Sequence, residues 1–110
     1  MIELTLVIVP AGGGEADYQL PMKLPAVPSI GDYVVVQRDG QVGTEDFIVR
    51  RCWWNLTYPD TRPTHHGVKP PSGQLKELFI EVEMATGAFS TDEHKRSAGS
   101  DAPKHDASAY

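Results

Sequence analysis

The chain has 110 residues, with 15 acidic against 10 basic side chains and a formal net charge of −5. That length allows one domain with one modest core. The acidic balance argues against a general phosphate-binding protein, and neither residues 1–89 (seven Lys/Arg against eleven Asp/Glu) nor 90–110 (three against four) forms a polybasic arm.

A single cysteine, Cys52, cannot form an internal disulfide, so nothing requires an oxidising compartment. The apolar run from Ile2 to Val9 lacks a positive flank, carries Glu3 and is too short to span a bilayer. The expectation is a cytoplasmic protein without membrane contact. Asn55-Leu56-Thr57 matches a glycosylation acceptor, a short and common motif without meaning in that compartment.

In the first predicted strand, Ile2, Leu4, Leu6 and Ile8 share one face. Gly12, Gly13 and Gly14 end it. Tyr18, Leu20, Met22 and Leu24 alternate again, and Pro21, which has no N–H to donate, marks this strand as an edge. After a turn-rich connector over 25–32, the β-branched run of Tyr33 to Arg38 predicts a strand buried on both faces. Asp39-Gly40 is a hairpin signal, although Gly43 also allows a longer loop reaching Glu45.

The next strand, over 47–56, carries the most informative pattern. Phe47 and Val49 share a face, but after Arg50-Arg51 the apolar beat resumes one residue late, at Cys52, Trp54 and Leu56. A one-residue slip sends a pleated pattern to the wrong side, and a β-bulge at Arg50-Arg51 restores it. This places Trp54 in the core and Trp53 outward. Past Tyr58, a proline-rich loop runs over 59–73. Long loops in small domains are functional or mobile. The last strand sets Leu78, Ile80, Val82 and Met84 inward, with Phe79, Glu81 and Glu83 outward on a solvated face.

Residues 90–110 have no apolar periodicity and read as a disordered tail. The expected fold is all-β: a small antiparallel, strongly bent sheet or SH3-like barrel of about five strands over 1–89. The stretch Leu24 to Val36, followed by Phe47-Ile-Val and Cys52-Trp-Trp, is similar in cadence to many small bacterial and phage-encoded β-barrel proteins. That similarity reports turn and strand construction and carries no site residues.

Candidate chemistry is sparse. The three glycines lack the Lys and Ser/Thr of a P-loop and are followed by Glu15 and Asp17, so a plain hairpin loop is favoured. His65-His66 is a paired metal-ligand candidate, but adjacent histidines in an extended loop point apart and no further ligand stands near them. Cys52 has two neighbouring arginines, which lower thiol pKa values, yet the alternation assigns it to the core. Ser/His/Asp catalysis lacks a nucleophile elbow, and Glu45-Asp46 reads as a solvated turn. No cofactor is expected.

Arg50, Arg51, Trp53, Tyr58, Arg62 and Lys69 form the cationic, aromatic-rich stretch. Of these, Arg50, Arg51, Trp53, Tyr58 and Arg62, with His65 and His66, make the predicted contact surface: the outer face of strand 47–56 plus loop 59–73. The expected function is non-enzymatic binding of a protein partner by an accessory or inhibitory protein, of a kind found in phages and mobile elements. Two alternatives stand beside it: a single-stranded nucleic-acid binder using Arg50, Arg51 and Trp53, and a small metal-dependent enzyme at His65/His66.

Overall fold

A computed structural model describes residues 1–60 and 70–105. Strands β1 (Ile2–Val9), β2 (Tyr18–Leu24), β3 (Tyr33–Val36), β4 (Glu45–Thr57) and β5 (Gln74–Ala85) precede one short helix, α1 (Asp92–Ala98). The strands form a single sheet in the order β2-β1-β5-β4-β3, curled into a half-barrel. The small, bent all-β fold is therefore present.

Two antiparallel hairpins, β1–β2 and β3–β4, flank β5. β5 runs antiparallel to β4 but parallel to β1, so the sheet is mixed where an all-antiparallel one was expected. The parallel partner suits β1, whose residues 6–9 are buried on both faces, as in the interior strands of covered sheets. Pro21 lies opposite Thr5 on the edge strand β2, where its missing donor costs no ladder bond. The β-branched run of β3 takes the other edge and is half-buried, which corrects its expected double burial. The loop after it does reach Glu45.

The bulge falls where the change of beat placed it. Val49 faces Val82 and Arg51 faces Glu81, with Arg50 inserted between them. Leu4, Leu6, Ile8, Phe47, Val49, Leu78, Ile80, Val82 and Met84 form the concave core, joined by Ala98 and Ala102 from the C-terminal segment.

That segment requires a correction. Disorder was expected from residue 90, but the chain is folded as far as His105; residues 106–110 lie outside the described residues. Thr91 caps α1 by accepting from the His94 N–H at 3.0 Å, and the Gly99 N–H closes it on the Lys95 carbonyl. The segment then pairs with the sheet at Thr44/Ser90 and Thr86/Lys104. It docks through alanines and polar side chains rather than an apolar stripe, so composition alone missed it. The folded unit thus extends past the boundary expected at residue 89. No helix among the described residues is long and apolar enough to cross a membrane.

Candidate functional site

The bulge brings Arg50, Arg51 and Trp53 together on the outer face, but each is already engaged. Arg50 Nε lies 3.2 Å from Glu81 Oε2 and its Nη1 lies 3.7 Å from Glu83 Oε2. Arg51 Nη2 donates to Glu81 Oε1 at 3.1 Å. Glu81 is thus buried between two arginines rather than solvated as expected. Trp53 does point outward, yet its ring stacks on Phe79 at 5.4 Å, with the Arg51 guanidinium 5.8 Å from its centroid. The indole is half-buried.

The glycine loop completes this lid. The Gly12 N–H donates to Glu83 Oε2 at 2.6 Å, and a Cβ on Gly13 would lie 2.7 Å from Arg50 Nη1. The φ of +98° at Gly13 is the left-handed conformation that favours glycine, and it brings the loop against the guanidinium. These glycines hold a carboxylate–arginine pair, and the sequence signal of a flexible loop concealed that role.

On the inner face the same ribbon behaves differently. β1 stops pairing with β5 at Phe79, and β3 pairs only with Glu45–Ile48 of β4. Beyond those limits, residues 54–57 of β4 and 74–78 of β5 pair only with each other among the described residues. This two-stranded arm is about 13 Å long. Cross-strand partners share a face, so Trp54 with Leu78 and Leu56 with Leu75 continue the core side of the sheet. Leu78 is covered at the base of the arm, but Trp54 is 52% exposed, Leu56 69% and Leu75 44%. The alternation assigned Trp54 and Leu56 to the core; their orientation follows it, but among the described residues no opposing layer reaches that far. Strand period reveals a residue's face, not where the neighbouring strands end.

Tyr58 stands at the tip, 58% exposed. Its hydroxyl donates to the Pro71 carbonyl at 2.8 Å, and its ring lies so close to Gly73 that a Cβ there would come within 2.9 Å. This clasp fastens the two strands together. Arg62, Lys69, His65 and His66 lie outside the described residues.

A buried polar cluster lies at the opposite end of the ribbon, where sequence reading placed a solvated turn. Asp46 is fully buried. Its Oδ1 accepts from Thr44 Oγ1 at 2.7 Å and from Ser90 Oγ at 2.8 Å; His105 Nδ1 is 3.2 Å from Oδ2. His105 also stacks on Tyr33 at 4.4 Å. Ser, Asp and His are all present, but the carboxylate sits between the other two. In nucleophilic catalysis the imidazole must lie between, so that it can take the hydroxyl proton. Here Ser90 donates to the carboxylate, and the arrangement locks the C-terminal segment onto β4.

His94 strengthens the lock. Its Nε2 lies 2.9 Å from the Asp46 carbonyl and 2.8 Å from that of Ala85. Carbonyl oxygens only accept, so Nε2 carries a proton, and the longer 3.2 Å approach of the Asp46 N–H is not a simultaneous bond.

Beside His94 opens a cleft of about 420 Å³ lined by Tyr18, Arg38, Gln41 and Glu45. Burial pulls Glu45 upward, but hydrogen bonds from Arg38 and Tyr18 outweigh it and hold the carboxyl below its ordinary value. Burial, then the Glu45 carboxylate, push the Tyr18 phenol up to about 12. Neither group is poised near neutrality, where general acid–base catalysis works best. Burial also raises the Cys52 thiol, which disfavours the nucleophilic thiolate. Among the described residues, no group of three or more His, Cys, Asp or Glu could hold a metal ion.

No family model matches the chain, and no curated protein or solved structure matches it either.

Proposed function

We propose that the chain is a non-enzymatic protein-binding module, acting as an accessory or inhibitory protein, whose contact surface is the inner face of the β4–β5 arm. The carrying observation is the exposure of Trp54, Leu56 and Leu75 on one continuous face. Exposed apolar patches with aromatic residues are the composition of interface anchors. Tyr58 extends the same surface at the tip and is fixed by its clasp, so a partner meets a ring already held in place.

This moves the surface from the outer face, first suggested by Arg50, Arg51 and Trp53, to the opposite side. Both arginines are matched by Glu81 and Glu83 and the indole is stacked, which weighs against single-stranded nucleic-acid binding there. The test is affinity capture from the native host, comparing the intact chain with Leu56→Asp, Trp54→Ser and Arg51→Ala. The two arm variants should lose their partners at least tenfold, while Arg51→Ala retains them. Equal recovery by all four chains would refute the arm as the contact surface.

A further inference from the structure

We infer that the arm's inner face is covered by a second copy of this chain, arm against arm about a twofold axis. This names a partner for the surface proposed above and rests on that reading. A two-stranded ribbon is at best marginally stable alone in water. A second ribbon packed across the inner face supplies the missing layer, at the spacing of about 10 Å that separates stacked sheets.

Area and charge both favour a copy of the chain. The exposed parts of Trp54, Leu56, Tyr58 and Leu75 amount to roughly 500 Å² per chain, so a pair can bury up to about 1,000 Å², the lower limit for a specific interface. The described arm carries one charge of each sign, Lys76 and Glu77, within a chain of net −5. Two arms can therefore meet without an excess of like charge, and a twofold contact is self-complementary.

The full-length chain should be examined by sedimentation equilibrium across a concentration series, at low and at moderate salt. Monomer should give way to dimer as concentration rises. Salt should tighten the pair, because it screens the repulsion between two acidic chains; nucleic-acid binding shows the opposite dependence. Leu56→Asp and Trp54→Ser should each weaken dimerisation at least tenfold, while Arg51→Ala leaves it unchanged. Both arm positions are exposed, so the variants should fold, which thermal melts check. As a second reading, hydrogen exchange at residues 54–57 and 74–78 should slow with rising concentration in the intact chain and in Arg51→Ala, but not in the two arm variants.

A chain that stays monomeric throughout, or a dimer indifferent to both arm substitutions, overturns the inference. If the monomeric chain still loses its captured host partners on Leu56→Asp, the arm remains a contact surface for another protein. If it keeps them, the contact-surface reading falls as well.

Discussion

The two ends of the β4–β5 ribbon are finished in opposite ways. At the base, Asp46 is sealed among Thr44, Ser90 and His105, with His94 bridging two strand carbonyls. At the tip, Trp54, Leu56 and Leu75 meet solvent on the same strands. The difference shows that polar and apolar side chains can exchange their usual places along one ribbon. A buried carboxylate with matched donors fastens chain to chain, whereas the apolar face at the tip is left uncovered by the described residues and is the surface proposed for docking.

The contrast can be broken most directly at the base. Asp46→Ala removes a buried carboxylate that accepts from Thr44, Ser90 and His105 and should cost about 3 kcal/mol, read as a large drop in melting temperature. Leu56→Asp in the same assay on dilute chain should change stability by no more than about 0.5 kcal/mol. Equal losses at the two positions would erase the distinction between base and tip.

The outer face gives a smaller effect. Arg50→Ala leaves Glu81 with Arg51 and frees Glu83 from its guanidinium, and should cost about 1–2 kcal/mol in denaturant unfolding. An unchanged midpoint would mean that the glycine-loop lid contributes nothing to stability.

The smallest effect is a pH dependence beside the base. The folded-state value of the Tyr18 phenol lies above its ordinary 10.0, at about 12. Its contribution is fully present below the ordinary value and is lost as pH rises through the raised one. The stability advantage of the intact chain over Tyr18→Phe should therefore shrink between about pH 10 and 12. A constant advantage across that window would exclude Tyr18 as its source. Glu45 runs the other way: its value is lowered, so its contribution is lost as pH falls through that value.

Much of this architecture is written in apolar alternation. Leu78, Ile80, Val82 and Met84 point inward as their spacing requires, Pro21 marks an edge, and the slipped beat at Arg50 is a true bulge. The proposed contact surface is legible only by half. Alternation puts Trp54 and Leu56 on the core side, but strand length carries no mark of where β1 and β3 stop.

The C-terminal segment is hidden for another reason. Its local signals are all present: Thr91 as cap, Asp92 and Glu93 in the first turn, Lys95 and Arg96 in the last, and Gly99 beyond. What it lacks is a stripe of large apolar residues, because it packs through His94, Ala98 and Ala102. Asp46 is similarly silent, since nothing in Glu45-Asp46 announces that two distant histidines and a serine converge there.

The central place of β5 has a consequence for biosynthesis. It is the fifth strand made, yet it joins the β1–β2 hairpin to the β3–β4 hairpin. Until Gln74–Ala85 leaves the ribosome, nothing can join the β1–β2 pair to the β3–β4 pair, and neither two-stranded half is more than marginally stable by itself. Closure then depends on pairing β1 with a strand more than seventy residues away, the kind of long-range contact that makes folding slow and leaves newly made chains open to aggregation.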